Sequence, residues 1–166
     1  FVEELSSSTI GCGVVNKKVT SFDDKELNVN IWDTGGQEKY QSLIPIYVKD
    51  SNGIVIVYDI SDEKTFDDLD KIIDFIDESI DINETEFLIL ANKCDLGEFQ
   101  TLEEKAKNMK HEKILSKKHE VVSAKTNQNI KEALDAFVDK ISRNKLNSLP
   151  PHVIMCDDNQ NKNGCC

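Results

Sequence analysis

The chain has 166 residues, a formal net charge of −11 and 31% charged residues, a composition typical of one soluble globular domain with a substantial core. So large a negative charge disfavours a nucleic-acid-binding protein, because such proteins carry a basic face. The sequence also lacks an apolar run near the ~20 residues that a membrane-spanning helix needs. Five scattered cysteines show neither zinc-site nor disulfide-framework spacing, which favours a reducing cytosol.

The N-terminal third predicts an antiparallel hairpin. Residues 1–11 are polar and serine-rich and are typical of a loop. Residues 14–22 and 26–33 are two short strand patterns, and in the second the apolar residues alternate with polar ones, which indicates one buried face. The intervening turn is so short that the two strands must run antiparallel.

The pattern changes after residue 50. Residues 53–59 and 86–92 are continuous apolar runs, typical of strands covered on both faces in a parallel sheet, and 120–125 is a shorter example. Helical patterns occupy the intervals, at 65–80, 101–110 and 129–144. This alternation predicts an α/β fold with a mostly parallel sheet, in which ligands bind at the carboxyl ends of the strands. Four polar residues lie at those ends: Asp33, Asp59, Asn92 and Ser123.

The segment from Pro150 onward has no periodicity and is rich in asparagine and aspartate. We therefore predict a domain over residues 1–145 and a flexible tail over 146–166. The tail ends in two adjacent cysteines, Cys165 and Cys166.

The stretch WDTGGQE at residues 32–38 follows the second strand with residues suited to phosphate chemistry. The Asp33 carboxylate can hold Mg²⁺ directly or through water. Gly36 lets its backbone N–H approach a phosphate because no Cβ intervenes, and Gln37 can orient an attacking water. An Asp-x-x-Gly at a strand end is by itself as consistent with an ordinary turn.

Two further motifs follow the later strands, NKCD at residues 92–95 and SAK at 123–125. The Asp95 carboxylate can accept hydrogen bonds from the N1–H and N2–H₂ edge of guanine, an edge that adenine does not have. Asn92 can tie the loop to its neighbours and the Lys93 stem can lie along a base. An isolated N-K-x-D is equally consistent with an Asx turn.

Taken together, TIG (9–11), WDTGGQE, NKCD, SAK and the final GCC resemble the Ras superfamily of small GTPases, and the Rab branch in particular. The resemblance covers residues 1 to about 145. It implies a P-loop NTPase-type sheet flanked by helices and carrying an antiparallel hairpin. It also implies that the cofactors are GTP or GDP with Mg²⁺.

Roles carry over only where residues match. The resemblance implies that Thr9 and Asp33 hold Mg²⁺, that Gly36 senses the terminal phosphate and that Gln37 is catalytic and positions the hydrolytic water. Guanine binding is implied for Asn92, Lys93, Asp95, Ser123, Ala124 and Lys125. The two switch loops would be about residues 5–13 and 34–48, which order and release around the phosphate.

The chain departs from the family at its start, where the first strand, the phosphate-binding loop and the first helix are missing. No G-x-x-x-x-G-K-[ST] occurs, and the first residue is Phe1 rather than Met, so we expect these elements to lie upstream. The alternative is a P-loop-less pseudo-GTPase that acts as a nucleotide-free interaction module. Since the family's first strand is central in its sheet, its absence predicts a bare edge along residues 53–59 and poor folding.

The resemblance further implies slow GTP hydrolysis and a role in vesicle-mediated membrane traffic. The implied partners are exchange factors, GTPase-activating proteins, effectors and a GDP-dissociation inhibitor or escort protein. Cys165 and Cys166 would carry geranylgeranyl groups, since two lipids give stable anchoring where one is marginal. The implied location is the cytoplasmic face of endomembranes of the Golgi or endosome type, in exchange with the cytosol.

Overall fold

The computed structural model describes residues 12–21, 24–35, 44–49 and 51–144, together with the backbone of residues 152–157. The strands are β1 Cys12–Thr20, β2 Glu26–Thr34, β3 Gly53–Asp59, β4 Glu86–Asn92, β5 His119–Val121 and β6 His152–Asp157. The helices are α1 Ile44–Val48, α2 Glu63–Asp67, α3 Leu69–Asp77, α4 Glu103–Ala106, α5 Glu112–Leu115 and α6 Ile130–Asn144, with a short 3-10 helix at Cys94–Leu96. The α/β class predicted from the sequence is confirmed.

The predicted antiparallel hairpin is confirmed as β1 and β2, which pair along their whole length from Cys12 opposite Thr34 to Thr20 opposite Glu26. Ser21 closes the turn: its N–H donates to the Lys25 carbonyl at 2.8 Å, and its hydroxyl oxygen accepts the Lys25 N–H at 3.2 Å. The short connection thus fixes the register of the two strands.

The predicted parallel sheet is also confirmed, with β3 beside β4 and β4 beside β5. Both faces of β3 are buried, as its continuous apolar sequence indicates. Ile54, Ile56 and Tyr58 enter a core with the helices of one face. Val55 and Val57 enter a second core with α6 on the other face. Each fully buried side chain of this size contributes about 1.5–3 kcal/mol, so these two cores hold the parallel strands in place.

The predicted helices at 65–80 and 101–110 are shorter in the structure. The first is divided at Asp68 into α2 and α3. The second is reduced to α4, because the Lys110 and His111 N–H groups donate to the Asp70 carboxylate at 3.1 and 3.0 Å instead of continuing a helix. A tertiary contact here outweighs the local helical pattern.

The tail differs from its prediction, because residues 152–157 form β6 rather than flexible chain. This strand lies between β2 and β3 and runs parallel to both, so the strand order is β1-β2-β6-β3-β4-β5. The prediction of a bare edge along residues 53–59 is therefore wrong. The physical reason is the demand of that edge for hydrogen-bond partners, and the apolar Val-Ile-Met-Cys run at 153–156 is too short to show periodicity in the sequence.

Within the described parts of the chain, none of the helices has both the length and the apolar character needed to cross a bilayer.

Candidate functional site

The candidate site lies at the carboxyl edge of the parallel strands. Asp59 ends β3 and Asn92 ends β4, and the two residues are register partners. The chain after β5 joins them, because the Cys94 N–H donates to the Val122 carbonyl at 3.1 Å. The NKCD and SAK motifs are therefore brought together by strand pairing, as the sequence predicts.

Lys93 makes the first turn out of the sheet. Its backbone is left-handed, with φ 69° and ψ 31°, an uncommon conformation for a residue other than glycine. Its ammonium group pairs with the Asp59 carboxylate at 2.7 Å. Partial burial acts to raise the pKa of Asp59, but hydrogen bonds from Lys93 and Ser61 outweigh burial and lower it. Asp59 is thus ionised at neutral pH and holds the Lys93 side chain at the strand ends.

Asp95 presents a carboxylate beside the SAK motif. The Ser123 hydroxyl donates to Asp95 Oδ1 at 2.6 Å, and the Lys125 ammonium lies 3.7 Å from Oδ2. The Ser123 hydrogen bond, aided by Lys125, lowers the pKa of Asp95. With its side chain 13% exposed, Asp95 is an ionised acceptor held in one orientation and still open to a ligand.

Asn92 and Ser123 form the buried support of this carboxylate, at 4% and 0% exposure. The Asn92 amide oxygen accepts the Ala124 N–H at 2.9 Å, and the Ser123 oxygen accepts the Thr126 N–H at 3.2 Å. The Ala124 N–H, assigned from the sequence to support guanine, is therefore engaged within the protein. Asn92 acts as the predicted tie between the two loops.

Of the residues predicted to bind the metal ion and the terminal phosphate, Asp33 is the one that lies among the described residues. Asp33 is exposed on β2, opposite Gly13 in β1 and Met155 in β6, and β6 separates it from the strands that carry the other motifs. Three other predicted residues, Thr9, Gly36 and Gln37, lie outside the described residues, as do Cys165 and Cys166. Among the residues described, no group of three or more His, Cys, Asp or Glu is placed to hold a metal, so the Mg²⁺ site stays a prediction.

The described residues fit the base of a guanine nucleotide. A carboxylate accepts only and offers two oxygens, which matches the paired N1–H and N2–H₂ donors of guanine. Asp95 has this form, with its orientation set by Ser123 and its charge favoured by Lys125. Adenine has a hydrogen-bond acceptor at N1 and would leave the carboxylate without a donor there.

Asp59 is a functional candidate that the sequence motifs did not include. Its place at the end of a buried strand is visible in the sequence, but its pairing with Lys93 depends on the register of β3 and β4. The sequence signal that could have identified Asp59 is an acidic residue at the end of β3, the strand that precedes and pairs with β4.

Comparison with known proteins agrees with this geometry. The family model described as "Ras family" matches residues 1–143. The chain is 32% identical to Ras-related protein Rab-13 of Bos taurus over 170 residues, which covers 95% of this chain and 80% of the relative. It is 30% identical to Rab-8B of Dictyostelium discoideum, covering 90% of this chain and 73% of the relative. It is 33% identical to Rab-12 of Mus musculus, covering 91% of this chain and 60% of the relative.

The family match spans most of the chain, and the NKCD and SAK residues meet at one edge of the sheet as a shared site requires. The chain therefore belongs to the Ras family, as a Rab-like small GTPase.

Proposed function

We propose that this protein is a guanine-nucleotide switch of vesicle-mediated membrane traffic, which binds GTP and GDP with Mg²⁺ and hydrolyses GTP slowly to GDP and phosphate. The observation that supports this most strongly is the Asp95 carboxylate, held by the Ser123 hydroxyl at 2.6 Å and open to a ligand. A buried Asn92 and an ion-paired Lys93 complete the base-binding end.

The phosphate end of the proposal depends on residues matched by the family resemblance. Thr9 and Asp33 would hold Mg²⁺, which supplies neutralisation of phosphate charge when bound. The Gly36 N–H would meet the terminal phosphate and Gln37 would orient the hydrolytic water. The exposure of Asp33 near the end of β2 supports this arrangement, because the carboxylate is accessible to a metal ion.

The proposed partners are exchange factors, GTPase-activating proteins, effectors and a GDP-dissociation inhibitor or escort protein. Apolar groups at the hairpin and α1 support protein contacts. The Trp32 and Tyr47 rings lie 5.9 Å apart. Val14, the register partner of Trp32, is 49% exposed, and Ile46, next to Tyr47, is 69% exposed. Geranylgeranyl groups on Cys165 and Cys166 would anchor the protein to the cytoplasmic face of Golgi- or endosome-type membranes, in exchange with the cytosol.

Nucleotide selectivity tests the proposal. We expect the protein to bind GDP in preference to IDP by roughly ten- to a hundredfold, because inosine lacks the 2-amino group that donates to a charged carboxylate. ADP should bind more weakly than either. In Asp95→Ala the preference of GDP over IDP should fall close to one. Glu98→Ala, a loss of one exposed carboxylate in the same loop, is the matched control and should keep the preference.

Equal binding of GDP, IDP and ADP, or no binding of any of them, would contradict the proposal. The second candidate function would then apply, a nucleotide-independent interaction module. The apolar Val14, Val15 and Ile46 side chains, exposed at 49%, 50% and 69%, are the groups that such a module would offer to a partner.

A further inference from the structure

A polar network connects the loop after β3 with the NKCD motif. Asp59 lies at its centre, with both carboxylate oxygens engaged. Oδ1 accepts the Ser61 N–H at 2.9 Å and the Ser61 hydroxyl at 2.6 Å. Oδ2 pairs with the Lys93 ammonium group at 2.7 Å. One carboxylate therefore links Ser61, which belongs to none of the motifs, to Lys93.

The arrangement of this network directs the charge of Asp59 toward Lys93. Ser61 donates from its backbone and its side chain to the same oxygen, and hydrogen bonds to an ionised carboxylate are among the strong ones. They fix the orientation of the carboxylate, so that the second oxygen holds the ammonium group. The Asp59 side chain is 11% exposed and the Lys93 side chain 33%, so salt screens this pair less than a pair at the surface.

The backbone of the NKCD loop is held by other bonds. The Ile60 N–H donates to the Asn92 carbonyl at 2.9 Å, and the Cys94 N–H donates to the Val122 carbonyl at 3.1 Å. These bonds tie the loop to the chain on both sides of β4. The ion pair with Asp59 therefore acts on the Lys93 side chain, whose long flexible stem loses much rotamer freedom when its end is fixed.

The two charged side chains of the NKCD motif are thus each held from a neighbouring strand. Lys93 and Asp95 lie on one turn, in which the Leu96 N–H donates to the Lys93 carbonyl at 3.1 Å. Asp95 is held from the β5 side by the Ser123 hydroxyl, and Lys93 is held from the β3 side by Asp59. The support of Lys93 has the same form as the support of Asp95, a side chain fixed by a partner on the adjacent strand end.

We propose that Asp59 and Ser61 are positioning residues for nucleotide binding. Ser61 orients the Asp59 carboxylate, and Asp59 holds the Lys93 side chain in the place where it would contact the nucleoside. A side chain that is ordered before binding does not have to be ordered by the ligand, so the nucleotide binds more tightly. The inference rests on the proposed function for the identity of the ligand, a guanine nucleotide.

Release of a fluorescent GDP analogue tests this role. Asp59→Asn keeps the shape of the side chain and removes its charge, and release should become about three- to tenfold faster because Lys93 loses its fixed place. Glu63→Gln is the matched control. It makes the same change of charge at an exposed carboxylate that pairs with Lys105, and should keep release within about twofold. Unchanged release in a folded Asp59→Asn protein would overturn the proposal.

A double-mutant cycle shows whether Asp59 acts through Lys93. In a Lys93→Met background, Asp59→Asn should not accelerate release further, because no ammonium group remains to be held. An equal acceleration in both backgrounds would contradict the proposal. Asp59→Asn should also keep the preference of GDP over IDP, since that preference is proposed to depend on Asp95, and its loss would contradict a role exerted through Lys93.

Ser61 supplies a second variant for the case in which Asp59→Asn fails to fold. Ser61→Ala removes the 2.6 Å hydrogen bond of the hydroxyl and keeps the backbone bond, so release should accelerate about two- to threefold. Ser61→Thr keeps a hydroxyl and should release at the rate of the unaltered chain. A Ser61→Ala protein that releases GDP at the original rate, or a Ser61→Thr protein as fast as Ser61→Ala, would speak against the positioning role.

The order of the Lys93 side chain distinguishes this proposal from the proposed function. In the nucleotide-free protein, NMR relaxation of the Lys93 side-chain carbons should report an ordered side chain, and Asp59→Asn should make it mobile. Lys125, whose side chain is 79% exposed, is the internal comparison and should be mobile in both proteins. If the unaltered chain binds no GDP, the proposed function fails, while the order of Lys93 still decides whether Asp59 holds it. A mobile Lys93 in the unaltered chain would overturn the positioning role.

Discussion

The two ends of the candidate site are built in different ways. The proposed base-binding end follows buried parallel strands, and its side chains are fixed by hydrogen bonds of 2.6 Å from Ser123 to Asp95 and 2.9 Å from Ala124 to Asn92. The Asp33 end grows out of a hairpin in which β1 is largely exposed, with Val14 and Val15 at 49% and 50%. The proposed selection of a base would require fixed acceptors, and Asp95 and Asn92 are held by hydrogen bonds beside the buried strands.

The difference indicates which part of the site is rigid and which part can change conformation when a ligand binds. Strands covered on both faces lose little conformational freedom to a ligand because they are already fixed by packing. Response to a phosphate requires segments with few buried contacts, which are drawn from the least stable parts of a protein. Asp33 precedes the proposed second switch loop, at the end of the less buried part of the sheet.

The largest expected effect comes from one substitution made in both parts of the sheet. Val55→Ala in β3 removes two methyl groups from a site that is 0% exposed, and should cost about 2–3 kcal/mol of unfolding free energy from lost burial and the cavity left behind. Val15→Ala in β1, at 50% exposure, should stay within about 0.5 kcal/mol. Urea denaturation measures both, and equal losses would break the comparison.

An intermediate effect is expected at the base-binding end. Asn92→Ala leaves the partly buried Ala124 N–H without its 2.9 Å acceptor, at a cost of about 1–2 kcal/mol. Exchange of the Ala124 amide should accelerate with it. Asn83→Ala, in an exposed turn, is the control and should change unfolding by less than about 0.5 kcal/mol. A protected Ala124 amide in Asn92→Ala would contradict the role of Asn92 as the tie between the loops.

The smallest effect expected is a pH dependence of the parallel part. His119 of β5 donates from Nε2 to the Leu115 carbonyl at 2.9 Å, so its Nδ1 accepts the Tyr58 hydroxyl at 2.9 Å. Burial lowers the pKa of His119 from its ordinary 6.5, although Leu115 and Glu103 act in the opposite direction. The unfolded chain then binds the proton more readily than the folded chain, so stability should fall as pH drops below about 6.5.

Unfolding midpoints measured between pH 7.5 and 5.5 test this dependence. His119→Gln should flatten the slope, since the neutral amide takes no proton. Carboxylates with lowered pKa, such as Asp59 and Asp95, lose their contribution at more acidic pH and should not alter this window. An equal slope in His119→Gln would assign the dependence to other groups.

The meeting of the NKCD and SAK motifs at one sheet edge could be predicted from the sequence, because both motifs follow apolar runs that indicate buried strands. The pairing of Asp59 with Lys93 could not be predicted, because it depends on the register of β3 and β4, which are distant in the sequence. The early end of α4 could not be predicted either. The Lys110 and His111 N–H groups, which would continue the predicted helix, donate instead to the Asp70 carboxylate on another helix. The roles of Thr9, Gly36 and Gln37 stay predictions.

By itself, the sequence determined the α/β class, the hairpin and the meeting of NKCD with SAK, because alternation and apolar runs encode which faces are buried. Only the tertiary structure decided the place of residues 152–157. Their four-residue apolar run is compatible with a strand but lies within a polar tail, and it becomes one where the facing edges of β2 and β3 supply hydrogen-bond partners on both sides. Long-range hydrogen bonding, which no local pattern records, completes the sheet beneath the site.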